Sequence, residues 1–223
     1  SAATTITSST IADVLEIVQN TGSVFTTATN YAVTLSDATI SAANVKLINA
    51  DNGTGTIDIS AATTITSSTI ADVLEIVQNT GSVFTTATNY AVTLSDATIS
   101  AANVKLINAD NGTGTIDISA ATTITSSTIA DVLEIVNNTG STFTTATDYV
   151  VTLSDTSASA ANLNTINADT TGLVTATNVT TISSSTFADV NTLISNRGIS
   201  GNAINIDNDY NVTLSDVSIS AAN

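Results

Sequence analysis

Residues 1–59 recur without a single change as residues 60–118, a degenerate third copy occupies 119–178, and a divergent fourth runs through 179–223. A chain that repeats itself at this period builds one supersecondary unit several times, and such units bury their apolar faces against one another rather than alone. The 59-residue period contains a weaker duplication: segment 41–48 aligns with segment 10–17. Using the acidic or amide residue of that segment as marker gives Asp13, Asn44, Asp72, Asn103, Asp131, Asn162, Asp189 and Asn223, mostly 31 and 28 residues apart. About seven coils of roughly 28–31 residues follow, read as a single continuous solenoid over 1–223 and as an excerpt of a longer chain.

Each coil reads as strand, turn, short helix, loop, strand. The first strand falls at 33–36 in one coil type and 64–66 in the other, the second at 57–59 or 25–28, all with β-branched residues at period two. Thr10 with Asp13 and Ser41 with Asn44 have the spacing of helix N-caps. Gly22, and Asp51-Asn52-Gly53 with Gly55, stop the helices after two to three turns. The expected core is Ile11, Val14 and Val18 on one helix, Val45 and Ile48 on the other, and Val33, Leu35, Ile57 and Ile59 on the strands. Leu15 becomes Asn191 and Leu47 becomes Thr165 in the divergent copies, which marks both as outer positions. Helices this short do not persist alone in water, so stability belongs to the stack. Strands pair at about 4.8 Å, whereas packed helices need about 8–10 Å. The expectation is therefore a curved or superhelical α/β solenoid, each coil carrying two short parallel-stacking strands and one short helix.

Composition narrows the function. The chain has no Cys, His, Pro, Met or Trp, three basic residues, nineteen acidic ones and a formal charge of −16. Thiolate and imidazole chemistry is absent, and a surface this negative does not neutralise phosphates, which disfavours nucleic acid and anionic membranes as partners. No run of eighteen apolar residues is present, so no membrane insertion is expected. Divalent cations are the fitting small partners, and calcium is the candidate cofactor.

Two sets of carboxylates could take it. Asp37, Asp96, Asp155 and Asp216 end the strand in every Leu-Ser-Asp, so stacking sets like charges in a row that binds cations, stays solvated or caps the following turn. Asp51 and Asp58, with Asp110 and Asp117 in the second copy, flank the Gly-rich turn and resemble a calcium loop, although the third copy replaces Asp58 by Thr175. Asp13, Asp72, Asp131 and Asp189 suit the first turn of a helix, where a negative charge meets the free amides. Duplicated identical copies argue against an enzyme, and no catalytic residue is assigned.

Val151-Thr152-Leu153-Ser154-Asp155, then Ser159-Ala160-Ala161-Asn162-Leu163-Asn164-Thr165-Ile166-Asn167-Ala168, then Thr171-Gly172-Leu173-Val174-Thr175-Ala176 resemble the repeats of giant cyanobacterial cell-surface and hemolysin-like exported proteins, as do Ile199-Ser200-Gly201-Asn202 and Asn211-Val212-Thr213-Leu214-Ser215-Asp216. The likeness runs through essentially the whole chain. It implies export, an extracellular or cell-surface location, and a part in adhesion, surface layers or appendages. The function expected is a structural repeat region of a surface filament, sheath, S-layer or giant adhesin that self-associates end to end or laterally into a fibre or layer. The alternative is a calcium-, carbohydrate- or ice-binding solenoid module with glycans or divalent cations as partners.

Overall fold

The computed structural model describes residues 2–198 and 203–220. Among them seven helices alternate with short strands: α1 (Ile11–Gln19), α2 (Ala42–Asp51), α3 (Ile70–Gln78), α4 (Ala101–Asp110), α5 (Ile129–Asn137), α6 (Ala160–Asp169) and α7 (Phe187–Ser195). Each strand pairs in parallel with a strand one coil away, so the chain is an α/β solenoid of repeated helix–strand units. It divides into two compact units, Ser1–Asp96 with Leu106–Ile118, and Ala97–Lys105 with Ser119–Asn223.

In the first unit, strands Ala3–Ser9, Thr27–Leu35, Ile57–Ile59 and Phe84–Thr86 lie side by side, and Thr39–Ile40, Thr64–Ser68, Ala91–Leu94 and Ile116–Ile118 form a second ladder. Register matches like with like: Val33 lies opposite Ile57, Ile57 opposite Phe84, and Ile40 opposite Ile65. The second unit repeats the pattern with Thr98–Ile99, Thr123–Ser127, Val150–Leu153, Val174–Ala176 and Ile204–Ile206 in one ladder, and Ser157–Ala158, Thr181–Ser185 and Asn211–Leu214 in another. Within the units α1 packs on α2 and α2 on α3, and α5 on α6 and α6 on α7.

The helix signals read from sequence are in place. Thr10 caps α1 and Ser41 caps α2, each side-chain oxygen accepting the amide three residues on, from Asp13 and Asn44. Those hydroxyls satisfy amides that an isolated helix leaves without partners. Val14, Val33, Leu35, Val45, Ile48, Ile57 and Ile59 are buried as expected. Leu47 is half exposed, in line with its replacement by Thr165.

Val18 departs from the expected core, being only partly buried; Ile11 is partly buried too, although its counterpart in the third copy, Ile129, is buried. The helical stripe runs through every third residue instead: in α5 it is Ile129, Val132 and Ile135, and in α7 Val190 and Leu193, while Ile194, the counterpart of Val18, is 51% exposed. The cause is the width of the face. Nine-residue helices that carry Leu, Ile and Val at consecutive positions can present either row, and the packed neighbour selects the one that approaches it most closely.

Perfect duplication supplies an internal control on packing. Ile65, Ile76 and Phe84 are buried, whereas Ile6, Ile17 and Phe25, identical in sequence context, are not. Phe84 is 1% exposed against Ile57, and Phe25, with no such strand beside it among the described residues, is 36% exposed. Burying a side chain of this size stabilises by about 1.5–3 kcal/mol. In this chain that gain depends on the preceding coil, not on the residue's own.

Candidate functional site: the seams between coils

The polar residues that looked like candidate ligands sit where one coil meets the next, and most hold backbone. Ile11 N–H donates to Asp37 Oδ2 at 2.7 Å, across 26 residues of sequence. Ile70 and Ile129 N–H donate to Asp96 and Asp155 at 2.7 Å, and Phe187 N–H to Asp216 at 2.6 Å. Each of these four carboxylates therefore accepts the first amide of a helix belonging to the coil before it. A negative oxygen there satisfies an orphan donor and meets the positive end of the helix dipole. Each Asp foreseen at a strand end is thus engaged by the helix start of the neighbouring coil.

The alternate helices use a different residue for the same task. Ala42 N–H donates to Ser68 Oγ at 2.8 Å, Ala101 to Ser127 at 2.9 Å and Ala160 to Ser185 at 2.8 Å, while each hydroxyl donates to the carbonyl two residues back. Reaching the amide requires the serine to face inward. Strand alternation alone would turn Ser68 away from the side on which Ile65 lies, since the two are three positions apart. A shift of register between Ile65 and Ser68, with Ser67 at φ +43°, corrects this. The same left-handed serine recurs at Ser8, Ser126 and Ser184. A non-glycine residue in that region costs about 1–2 kcal/mol, so the kink is held by what the next residue bonds.

The Gly-rich turn after α2 is also a seam. Asn52 is fully buried and donates through Nδ2 to Tyr31 O (3.3 Å) and Gly55 O (2.8 Å). A Cβ on Gly55 would lie 1.9 Å from Tyr31 O, and one on Gly53, whose φ is +66°, 2.2 Å from Thr29 O. The glycines are there because two coils touch backbone to backbone. In the third copy Thr170 stands where Asn52 does, and its Oγ1 reaches Tyr149 O at 2.6 Å, which keeps the joint with a different side chain.

Asp51 Oδ2 accepts from the Tyr31 hydroxyl at 2.7 Å and from Thr21 Oγ1 at 3.4 Å; Asp110 repeats this with Tyr90 and Thr80, and Asp169 with Tyr149. Burial, then the hydrogen bond to the carboxylate, pushes the Tyr31, Tyr90 and Tyr149 phenols well above their ordinary range. These tyrosines are core residues that sequence reading missed. The recurring Tyr with an Asp 20 residues later was the available signal. Asp58 accepts from Ser60 N–H at 2.9 Å, and Asp117 lies in the strand Ile116–Ile118 opposite Thr93. Asp51 and Asp58 thus serve different partners. Among the described residues no three carboxylates converge.

The helix-start carboxylates tie coils on the outer face. Lys46 Nζ lies 3.0 Å from Asp72 and 3.5 Å from Glu75, and Lys105 repeats the arrangement with Asp131 and Glu134. The lysine hydrogen bond, followed by that of the capping Thr69, holds Asp72 below the usual carboxylate range. Solvent screens these pairs, since both lysines are exposed. No helix among the described residues is long and apolar enough to cross a membrane. Compared with known protein families, with curated proteins and with solved structures, the chain has no match.

Proposed function

We propose that this chain is a non-enzymatic structural repeat of an extracellular surface filament, sheath, layer or giant adhesin, whose task is to extend a scaffold by adding coils. The observation that carries the reading is the placement of the helix caps. All seven helices cap their own start with a Thr or Ser, and all seven also take a side chain from the following coil. A chain whose polar residues are spent on its own seams is specialised for stacking. The acidic surface suits a hydrated exterior, and the likeness of its motifs to exported cyanobacterial repeats supports a cell-surface location.

The reading is tested in two steps. Antibodies raised against residues 60–118 are applied to intact and permeabilised cells of the producing organism; labelling of intact cells is expected, and labelling only after permeabilisation overturns the location. Tandem arrays of that 59-residue segment are then imaged by electron microscopy. Length rising by about 10 Å per added repeat, two strand spacings, supports a scaffold, and particles that stay round with added copies refute it.

A further inference from the structure

The chain contains two Asn-Gly pairs, Asn52-Gly53 and Asn111-Gly112, one in each identical copy, and each lies in the seam that follows α2 or α4. Asn before Gly is chemically labile, because glycine carries no side chain to hinder attack by its own nitrogen on the neighbouring amide. Both asparagines are nevertheless 0% exposed. Each side chain is anchored by its nitrogen. Nδ2 of Asn52 donates to Tyr31 O and Gly55 O, and Nδ2 of Asn111 to Tyr90 O at 3.2 Å and Gly114 O at 2.8 Å. Oδ1 of each has no hydrogen-bond partner among the described residues. The main-chain carbonyls of the same two residues accept the Tyr31 and Gly55 amides, or the Tyr90 and Gly114 amides, at 3.1–3.3 Å.

We infer that Asn52 and Asn111 are deamidation sites that the docked seam keeps shut, and that their conversion, once a seam has opened, prevents it from closing again. In the open seam the Gly53 nitrogen gives up its proton to solvent and attacks Asn52 Cγ. The Cγ–Nδ2 bond breaks, and the nitrogen leaves as ammonia with a proton taken from water. A five-membered succinimide remains, and one water molecule opens it to aspartate or isoaspartate. The sum is amide plus water giving acid plus ammonia, with no oxidation or reduction.

The docked seam denies each of these steps. Cγ turns toward Gly53 N only by breaking both Nδ2 bonds, and at 0% exposure water has no entry and ammonia no exit. Reaction therefore waits on local opening, and its rate follows the population of the open seam. The product no longer fits. A carboxylate has no N–H to give to Tyr31 O and Gly55 O, and docking would bury its charge against two carbonyl oxygens. Isoaspartate lengthens the main chain by a methylene in a turn where even a Cβ on Gly53 or Gly55 would lie 2.2 or 1.9 Å from a carbonyl oxygen. The third copy escapes this fate, since Thr170 holds Tyr149 O through a hydroxyl and has no ammonia to lose. The seams of the two identical copies thus keep an irreversible record of having opened.

The test follows the 223-residue chain at mildly alkaline pH by peptide mass spectrometry and by enzymatic methylation of isoaspartate, both folded and in urea. The folded chain is expected to deamidate at Asn52 and Asn111 more than ~100-fold more slowly than the unfolded one; equal rates overturn the gating. The two copies yield identical peptides, so Gly55→Ala serves twice, marking the first copy by mass and forcing its seam apart. In that folded variant Asn52 should deamidate about tenfold faster than Asn111, whereas in urea the two should run alike. Matched rates in the folded variant overturn the inference, and if the variant does not fold, the folded and urea rates of the unmodified chain decide. Asn52→Asp tests the second half by hydrogen exchange: the Tyr31 and Gly55 amides should exchange about tenfold faster than in the unmodified chain. Unchanged protection would mean that the carboxylate docks, and would overturn the irreversible record.

Discussion

Ser68→Ala isolates the seam from every other property of the residue, because an identical sequence supplies the control. Ser68 is 2% exposed and its Oγ accepts the Ala42 amide at 2.8 Å; Ala42 is fully buried. Removing the hydroxyl leaves that amide without a partner and without water, which costs about 1–3 kcal/mol. The substitution also withdraws the bond that Ser68 gives to Thr66 O at 2.9 Å, and with it part of the reason for Ser67 to stay left-handed. Ser9 occupies the same place in the first copy, with Thr7 O at 3.2 Å, and accepts no helix amide among the described residues. Ser9→Ala is therefore expected to fall within about 0.5 kcal/mol of neutral. The assay is native-state hydrogen exchange by NMR, read at the Ala42 amide and along α2, with urea unfolding as a global measure. In Ser68→Ala the Ala42 amide should exchange about 5–150-fold faster, the kinetic equivalent of 1–3 kcal/mol. Equal effects of the two substitutions would refute the idea that the following coil completes the helix.

Gly55→Ala drives a Cβ to 1.9 Å from Tyr31 O and should destabilise by about 3 kcal/mol or more, whereas Gly22→Ala, with open space around it and φ +82°, should cost about 1 kcal/mol; thermal unfolding ranks the two. Asp96→Ala removes the acceptor of the Ile70 amide at 2.7 Å and should cost about 1–2 kcal/mol, with Asp96→Asn recovering part of it, as read by urea denaturation. The Tyr31, Tyr90 and Tyr149 phenols are shifted upward, so the stability they lend is present below the ordinary tyrosine pKa and lost as pH rises through the raised one. Ultraviolet titration should show these three ionising only together with alkaline unfolding. Asp72 is shifted downward, so its contribution is present above the ordinary carboxylate range and fades as pH falls through the lowered value; Lys46→Gln should return the Asp72 carboxyl toward the ordinary range by NMR titration.

Much of the fold lay in the open because repeats average out noise. Thr10 and Ser41 announced helix starts, segment 57–59 was readable as a strand from Ile-Asp-Ile, and period and half-period gave the coil. What escaped is what acts between coils. Nothing in the local sequence of Asp37 points to the Ile11 amide, because the partner is a backbone group that every residue possesses, 26 positions away. The signal was the alternation of Asp37 and Ser68 at matching points in successive coils, which local spacing rules do not read. Val18 was mistaken for core for a related reason. The divergent copy keeps apolar residues at both Leu193 and Ile194, so comparison of copies carries no information there, and only the neighbouring coil decides which is buried. Asp51 and Asp58 looked like one loop because they are close in sequence; the turn at Gly53 and Gly55 sends them to different partners.

The central claim is that coils stabilise one another across their seams, and the unfolding of tandem arrays of residues 60–118 tests it most directly. Denaturation midpoints measured for arrays of increasing copy number should climb with each added copy and then level off, as nearest-neighbour coupling requires. Midpoints that stay the same from the shortest foldable array to the longest would mean that the copies fold as independent beads, and would contradict the account.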